Sequence, residues 1–374
     1  MSRVLNIISD TNIGGAGRVI LNYLKYSDTE RFETVVAIPR GSLLKTALTE
    51  IGASIIEVEG LADRSFHKDD VGTLRRLIRQ VKPDLVHTHG VLSGRIAARL
   101  CGVPVVYSRH SAFPVPAKLK YPPGRWVNKF VNEIFADHII AVSPATKENL
   151  TDGGISPKKI TVVMNGVAPL AETSRDERTA LRAALGVGEE DFVFGILARI
   201  EDYKGHLHIV EAAKLLKEKG CRNFCVLVAG TGEFESTVRA AAAEQDVGDV
   251  VRMLGFRSDV RELLNICNCQ LNASYGTEAT SMALLEGMSL GLPSIVSDYG
   301  GNPWLVRDGE NGYVFPTRNS AALAECMETM MNLADRGEAL GRRGREIYRR
   351  EFTGEVFARS TENVYLRVLR KGDK

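Results

Sequence analysis

The sequence lacks the patterns that mark several classes of protein. Its six cysteines are scattered, with no CxxC pair near histidines, which predicts free thiols in a reducing compartment and no zinc site. No apolar run approaches the roughly 18 residues that a membrane span requires. The first three residues lead directly into an apolar stretch that is too short for a signal peptide, so we expect a cytoplasmic protein.

Neither sign of charge dominates the sequence. Lys and Arg number 48 and Asp and Glu number 46, so the net charge of +2 gives no support for a general nucleic-acid binder. Apolar residues make up 44% and charged residues 25%, as in ordinary globular proteins. A length of 374 residues is too great for one ordinary core and suits two domains.

Short β-branched runs alternate with longer amphipathic stretches along the whole chain. This alternation predicts right-handed βαβ units around parallel sheets. The pattern pauses at the turn-forming residues 165–169 and the polar residues 172–178, and then restarts. We therefore predict two doubly wound α/β domains joined near residues 165–176. Ligands of such sheets bind beyond the carboxyl ends of the strands, so two domains that face each other would form a deep cleft.

The predicted elements can be placed from the apolar runs. Strands are predicted at residues 4–9, 35–38, 55–58, 85–89, 105–108, 138–142, 160–163, 192–198, 224–229, 250–254, 269–273 and 294–297. Helices between and after them are predicted at residues 71–81, 94–100, 205–219, 321–333 and 357–369.

A glycine-rich loop follows the first predicted strand. Gly14, Gly15, Ala16 and Gly17 precede an amphipathic stretch, and a loop of this kind exposes backbone N–H groups to an anion. The spacing is not that of a dinucleotide site, because Ile20 stands where a third small residue is needed. The pattern leaves a ligand loop and a plain turn equally open.

Two further loops follow predicted strands. Arg199 and Lys204 come after the strand at residues 192–198 and before a predicted helix, where two cations are placed to hold a diphosphate. An ordinary solvated pair is the alternative. Gly230 begins a Gly-x-Gly turn, but Glu235 occupies the third glycine's place, which favours a tight turn over nicotinamide binding.

The strongest pattern is a pair of glutamates, Glu278 and Glu286. Glu286 lies in an apolar helical stretch, where an ionised carboxylate is costly unless something binds it. A helix beginning near Thr280 would place Glu278 just before it and Glu286 about two turns in. The two would then contact opposite ends of one elongated ligand, with helix amides directed at a phosphate. Two helix-surface carboxylates are the alternative.

Histidines follow two of the predicted strands. His110, at one strand end, is placed to hydrogen-bond a sugar hydroxyl or to polarise a neighbouring group. His87 and His89 end another strand, and we expect one of them to pack inside. No Asp-x-Asp occurs, so a carboxylate pair that chelates Mg²⁺ on a diphosphate is not evident. Leaving-group charge would instead be met by Arg199, Lys204 and helix dipoles.

With these motifs, the chain resembles the family 4 retaining glycosyltransferases of the GT-B fold over nearly its whole length. The resemblance rests on Gly14-Gly15-Ala16, on Arg199 with Lys204-Gly205, and above all on residues 278–286 continuing into 291–293 and Gly300-Gly301. It implies two Rossmann-like domains that face each other across a cleft. Residues 1–168 would bind the acceptor and residues 169–354 the nucleotide-sugar donor, with a helix at about 355–374 packing back on the first domain.

The resemblance also implies a role for each matching residue. Glu286 is expected to hydrogen-bond the donor ribose, Arg199 and Lys204 to hold the diphosphate, and Glu278 to contact the transferred sugar. His110 is expected to lie close to the reacting sugar and, with Glu278, Arg199 and Lys204, to form the catalytic set. Further donor contacts are expected from Gly15, Gly230, Ala279, Thr280 and Ser281, and acceptor contacts from Gly14, Gly15 and Ala16.

The reaction that the resemblance implies is front-face transfer with retention of configuration, without a covalent nucleophile, a metal or a cofactor. The co-substrate would be a nucleotide diphosphate sugar, with UDP as the expected nucleotide and GDP or ADP as alternatives. The acceptor would be a lipid-linked or growing glycan of the cell surface. A nucleotide-sugar epimerase and a non-catalytic binding protein are the alternative functions. The segment 278–286 opposes the first, and the complete set of motif residues opposes the second.

Residues 118–130 combine four cations with the aromatic residues Tyr121, Trp126 and Phe130. This composition suits contact with an anionic membrane surface near a lipid acceptor. An ordinary loop followed by an amphipathic helix is the alternative. Peripheral contact with the inner face of the plasma membrane is therefore an expectation of the sequence.

Overall fold

The computed structural model describes the backbone of residues 1–372 and the side chains of residues 1–370. The chain divides into two compact units, of which the second is Ala168–Glu351 and the first is Met1–Val167 together with the segment that begins at Phe352. Val167 donates its N–H to the Phe352 carbonyl (3.1 Å) and accepts one from Gly354 (3.1 Å). The chain therefore leaves and re-enters the first unit at adjacent points.

Strands and helices alternate along the described residues. The strands are β1 Ser2–Ile8, β2 Phe32–Pro39, β3 Ser54–Val58, β4 Leu85–His89, β5 Val105–Arg109, β6 His138–Ala141, β7 Ile160–Val162, β8 Phe192–Leu197, β9 Phe224–Ala229, β10 Val251–Gly255, β11 Cys269–Asn272, β12 Ser294–Ser297 and β13 Gly312–Phe315. The α-helices are α1 Gly15–Tyr26, α2 Leu44–Glu50, α3 Lys68–Val81, α4 Leu92–Leu100, α5 Ala117–Lys120, α6 Gly124–Ile134, α7 Pro144–Asp152, α8 Arg175–Ala184, α9 His206–Glu218, α10 Glu235–Glu244, α11 Val260–Ile266, α12 Met282–Leu290, α13 Asn302–Leu305, α14 Ser320–Asn332, α15 Glu338–Glu351 and α16 Gly354–Gly372. Two 3₁₀ helices lie at Pro157–Lys159 and Asp202–Lys204.

Each unit is built on one parallel sheet, as the sequence predicts. The first sheet has the strand order β3-β2-β1-β4-β5-β6-β7 and the second has the order β10-β9-β8-β11-β12-β13. Strands β1 and β8 lie inside their sheets, and each has consecutive buried apolar residues, as expected of strands covered on both faces.

The strand order reverses between β1 and β4 in the first sheet and between β8 and β11 in the second. At such a switch point the loops after two neighbouring strands run in opposite directions and leave a crevice at the carboxyl ends. The Gly14–Ala16 loop and His89 follow the first pair of strands, and Arg199 and Glu278 follow the second. The topology thus gathers the predicted site residues of each unit at one edge.

Two features of the local structure were not predicted from the sequence. The polar residues 172–178 are not simply a linker, because Ser174 caps α8 and forms a reciprocal capping box with Glu177. Strand β13, which pairs with β12, was not predicted from the sequence. Its four residues begin at a glycine and contain a single β-branched residue, Val314.

None of the helices within residues 1–372 combines the length and the apolar character that crossing a membrane demands.

Candidate functional site

The second unit brings two of the predicted residues into direct contact. Lys204 ends the 3₁₀ helix after β8, and Glu278 lies in the loop after β11. Because β8 and β11 are neighbours, their carboxyl ends meet, and Lys204 Nζ lies 2.7 Å from Glu278 Oε2. Glu278 is buried and Lys204 is largely so, and the pair therefore interacts in a setting of low dielectric constant.

Glu278 is held by further donors. Asn272 Nδ2 (3.2 Å) and Ser274 Oγ (3.1 Å) donate to Oε2, the oxygen that Lys204 also contacts. Three donors on one oxygen fix the direction of the carboxylate. Sequence reasoning missed Asn272 and Ser274. The only signal in the sequence was that polar residues, Asn272 and Ser274, stand at the end of a predicted strand.

A second group of buried polar residues supports that loop. Ser297 Oγ donates to the Ser274 carbonyl at 2.5 Å, and Asn302 Nδ2 donates to Ser297 Oγ at 3.1 Å. The loop that carries Glu278 is thus tied to the end of β12 and to α13. Such a network keeps a functional side chain at a fixed position.

Two glycines allow the close approach of these loops. Gly205, directly after Lys204, has φ +74°, and a Cβ there would overlap the carbonyl oxygen of Ala273. A Cβ at Gly301 would overlap the carbonyl oxygen of Ala279, and the Gly301 N–H donates to the Glu278 carbonyl at 2.9 Å. The predicted Gly300-Gly301 motif is therefore packed against the backbone that carries Glu278.

Arg199 and Gly230 lie beside this pair. Arg199 is exposed; its Nη2 donates to Tyr203 Oη at 3.1 Å, and its Nη1 lies 3.7 Å from Glu201. Gly230 follows β9, and a Cβ there would overlap the Ala198 carbonyl at the end of β8. Arg199 therefore lies near Lys204 as a second cation, and neither of its two contacts involves Glu278.

Helix α12 begins at Met282 rather than near Thr280. The hydroxyl of Ser281 caps it by accepting the Leu284 N–H at 3.4 Å. Glu286 is therefore the fifth residue of the helix and lies about one turn in, where two turns were expected. Ala279, Thr280 and Ser281 form the connection between Glu278 and the helix.

The first unit contains a chain of buried imidazoles. His89 Nε2 lies 3.0 Å from Asn6 Oδ1, and His89 Nδ1 lies 2.8 Å from His110 Nε2. His87 contacts Ser108 Oγ and the Tyr365 hydroxyl of α16, each at 2.7 Å. Both His87 and His89 are buried, whereas the sequence predicted that one of them packs inside. Sequence reasoning gave no role to Asn6 or Tyr365.

Burial keeps these rings neutral. It lowers the pKa of His110 to about 4, with the charge of Arg109 adding to the effect. It also lowers the pKa of His87 to about 3 and that of His89 well below the usual 6.5. At neutral pH each ring therefore carries one N–H, and its two nitrogens have opposite hydrogen-bonding roles.

The neutral rings can be assigned in order. Asn6 Oδ1 is an acceptor, so His89 donates from Nε2 and its Nδ1 is an acceptor. His110 then donates from Nε2, which leaves its Nδ1 unprotonated. That Nδ1 has no hydrogen-bond partner among the described residues. Nδ1 of His110 is thus a buried acceptor nitrogen at a fixed position.

The glycine loop of the first unit opens α1, as the sequence predicts. Gly14 is the N-cap residue, and Gly15 and Ala16 are the first residues of the helix. Its capping position carries no side chain, so the first N–H groups of the helix lack a side-chain acceptor from Gly14. This arrangement is suited to an anionic or hydroxylated ligand.

Among the side chains of residues 1–370, no three His, Cys, Asp or Glu residues are grouped so that they could hold a metal ion.

Comparisons with known proteins cover both units. The second unit matches the sequence profile of the glycosyl transferases group 1 over residues 177–347, and the first matches that of glycosyltransferase family 4 over residues 13–169. The UDP-Gal:alpha-D-GlcNAc-diphosphoundecaprenol alpha-1,3-galactosyltransferase of Escherichia coli is 32% identical across 81% of each chain. The alpha-maltose-1-phosphate synthase of Mycolicibacterium smegmatis is 29% identical across 76% of this chain and 79% of the relative. The crystal structure of Anabaena Alr3699/HepE in complex with UDP superposes with a TM-score of 0.84 at 20% identity, covering 97% of this chain and 99% of that one.

Proposed function

Because the chain belongs to the family 4, group 1 glycosyltransferases, we propose that it transfers a hexose or N-acetylhexosamine from a UDP-linked donor. The acceptor is a glycan or a lipid-linked sugar of polysaccharide or glycolipid biosynthesis. The observation that carries the proposal is the contact of Lys204 with Glu278, at adjacent strand ends and directly before α12. In the proposal Lys204 contacts the diphosphate and Glu278 contacts the transferred sugar, and their contact supports this pairing.

The donor site of the proposal is the switch point of the second unit. Arg199 and Lys204 bind the diphosphate by charge-assisted hydrogen bonds. Glu286 binds the ribose hydroxyls, and Gly230 and residues 279–281 approach the phosphates and sugar through their backbones. UDP is supported by the donor named for the Escherichia coli relative and by the UDP complex of Alr3699/HepE.

The proposed reaction retains the configuration of the transferred sugar. The bond between the sugar C1 and the phosphate oxygen breaks, and the acceptor oxygen bonds to C1 from the same face. The acceptor proton passes to the leaving phosphate oxygen. In this proposal Glu278, whose Oε2 accepts three hydrogen bonds, binds the sugar and orients Lys204 without bonding to C1. The alpha products named for two relatives support retention.

Cations of the protein take the place of a metal in this proposal. Arg199 and Lys204 neutralise the charge that develops on the leaving diphosphate. His110 lies close to the reacting sugar, and the loop Gly14–Ala16 contacts the acceptor. The enzyme requires no cofactor beyond its nucleotide-sugar co-substrate.

The proposal includes a cytoplasmic location with peripheral contact at the inner face of the plasma membrane. The acceptor named for the Escherichia coli relative is a diphosphoundecaprenol-linked sugar, which supports a lipid-linked acceptor for this chain. A transferase that uses such an acceptor must reach the membrane surface where the lipid resides.

Calorimetric titration with UDP, GDP, ADP and CMP and their common sugars, with and without EDTA, tests the donor site. We expect UDP and one UDP-sugar to bind, with the same dissociation constant in EDTA. Selective binding of another nucleotide would replace UDP in the proposal. Binding of NAD in place of all four nucleotides would overturn the assignment of the site.

A further inference from the structure

Helix α6 (Gly124–Ile134) packs on the first unit through its polar face. Asn128 Nδ2 donates to the Gly153 carbonyl at 2.8 Å, and Glu133 Oε1 accepts the Ser156 N–H at 2.8 Å. Surface helices normally bury their apolar stripe and expose their polar one. In α6 the polar residues face the protein, and this arrangement is the reverse of the usual one.

The docking of α6 is fixed by buried groups. Arg95 is buried, stacks 4.2 Å above the Tyr107 ring and donates from Nη1 to Asn132 Oδ1 at 2.9 Å. Gly154 has φ +91°, and a Cβ there would lie 2.8 Å from Cγ of Arg125. A buried cation that depends on Asn132 makes rotation of the helix costly, because Arg95 would lose that partner.

The apolar side chains of α6 are consequently exposed. Trp126 is 66% exposed and Phe130 is 63% exposed, and Val127 and Ile134 also lie on the surface. Their spacing places these four side chains on one face of the helix. None of the residues of α6 is buried. A contiguous apolar stripe of this kind marks an interaction surface.

The charge around the stripe has one sign. No Asp or Glu occurs between Asp84 and Glu133, whereas Lys118, Lys120, Arg125 and Lys129 surround the exposed aromatic residues. The one acidic residue of α6, Glu133, accepts the Ser156 N–H on the protein side and pairs with Lys129 at 3.2 Å, which leaves Lys118, Lys120 and Arg125 as cations in excess. An anionic partner is therefore favoured. A second copy would bring the same cations face to face in a symmetric dimer.

We propose that α6 and the adjoining residues Lys118, Lys120 and Tyr121 lie in the interface of an anionic lipid bilayer. Trp126 and Phe130 enter the boundary between headgroups and acyl chains, and the cations contact lipid phosphates. The inference deepens the proposed function, on which it rests for its biological purpose, by naming the surface that reaches a lipid-linked acceptor.

Flotation with lipid vesicles tests the proposal on the full chain without any donor or acceptor. We expect binding to vesicles that contain about one-third phosphatidylglycerol and much weaker binding to phosphatidylcholine alone or in high salt. The double variant Trp126→Asn/Phe130→Asn should bind about tenfold more weakly or worse, since two large apolar side chains are lost. Lys118→Gln/Lys120→Gln should lose roughly tenfold on anionic vesicles only.

Phe256→Asn is the matched control, because Phe256 is 77% exposed and belongs to the second unit. It should bind vesicles like the parent. All variants keep buried residues intact, and their circular dichroism and unfolding midpoints should match the parent. Equal vesicle binding by the parent and Trp126→Asn/Phe130→Asn would overturn the proposal. A parental dimer that this variant converts to monomer would also overturn it, since a second copy would then cover the stripe.

Turnover with a short, water-soluble acceptor separates this inference from the proposed function. The Trp126→Asn/Phe130→Asn variant should glycosylate that acceptor at the parental rate and lose activity only on vesicle-embedded acceptor. If the parent protein transfers sugar to the soluble acceptor but does not bind vesicles, only the membrane-binding inference is wrong. Vesicle binding that depends on Trp126, with no transfer from any nucleotide sugar, would contradict the proposed function alone.

Discussion

His110 Nε2 lies 2.8 Å from His89 Nδ1, and the two rings are stacked with their centroids 5.1 Å apart. Together with the bond between His89 and Asn6, this bond determines which nitrogen of His110 carries no proton. The carboxyl ends of β1, β4 and β5 thus act together to orient one imidazole. That nitrogen can accept a hydrogen bond only while the ring stays neutral.

The Asn6→Asp substitution should make turnover sensitive to acid. A carboxylate beside His89 favours the charged imidazole and raises the pKa of the stacked histidines, which burial otherwise lowers. The parent should show no loss of kcat/KM from histidine protonation between pH 8 and about pH 5.5, whereas the variant should lose activity about tenfold across that range. Exposed Asn332→Asp is the control and should keep the parental profile. Identical profiles for Asn6→Asp and the parent would contradict the assigned protonation.

Substitution of Glu286 should impair nucleotide binding, whereas substitution of Glu278 should impair turnover. Glu286→Ala should raise the dissociation constant of UDP about tenfold to hundredfold, since a charged hydrogen-bond acceptor for the ribose is lost. The Glu278→Gln variant should bind UDP with a dissociation constant within about threefold of the parental value. Its kcat should be about a hundredfold lower, because the contacts of this side chain with the sugar and with Lys204 are weakened. Calorimetry and initial rates measure both effects. Glu338→Ala, at an exposed carboxylate of α15, serves as the control. Parental binding and turnover in both site variants would show that the assignment of the site is wrong.

Arg199 and Lys204 should contribute to binding of the diphosphate and not of the nucleoside. Arg199→Gln and Lys204→Gln should each weaken UDP binding about tenfold or more while changing UMP binding much less, since UMP lacks the second phosphate. The ratio of the two dissociation constants is the measurement. Lys214→Gln, on the exposed side of α9, should leave the ratio unchanged. A parental ratio in both site variants would place the diphosphate elsewhere.

The stability of the fold should fall in mild acid. The pKa values of His87, His89 and His110 are lowered by burial, so their contribution is complete above the unfolded value of about 6.5 and is lost as the pH falls below it. Each should remove about 1.4 kcal/mol per pH unit from the free energy of unfolding below pH 6.5. Urea unfolding at pH 7.5, 6.5 and 5.5 measures this. His89→Asn should show a shallower loss. Equal stability of the parent at pH 7.5 and 5.5 would contradict the buried neutral state.

Much of the fold could be predicted because its strands are apolar on consecutive residues. The bounds of β4, β9 and β12 match the predicted runs. The start of α12 was misplaced because Thr280 and Ser281 are both suitable capping residues, and only the hydroxyl contact with Leu284 decides between them. The residues Ser174 and Glu177 have the spacing of a capping box, but the polar residues around them are equally typical of a linker.

The partners of the site residues could not be predicted in the same way. Lys204 and Glu278 are 74 positions apart and are brought together by the strand order. His87 and Tyr365 are 278 positions apart and are brought together by the packing of α16 on the first sheet. The inverted docking of α6 was equally hidden, because an amphipathic pattern predicts a helix without showing which face is buried. These are features of tertiary packing, which local sequence patterns do not contain.

The central claim is retaining transfer from a nucleotide sugar, and NMR of the reaction with anomerically ¹³C-labelled UDP-sugars tests it most directly. The mixture should contain a soluble lipid-diphosphate sugar acceptor, with EDTA present throughout. We expect release of UDP together with a new alpha-linked product, and neither should form with Lys204→Gln. A beta-linked product would contradict retention, and transfer that stops in EDTA would contradict metal independence. Conversion of the UDP-sugar to its epimer without any acceptor would show that the protein is not a transferase.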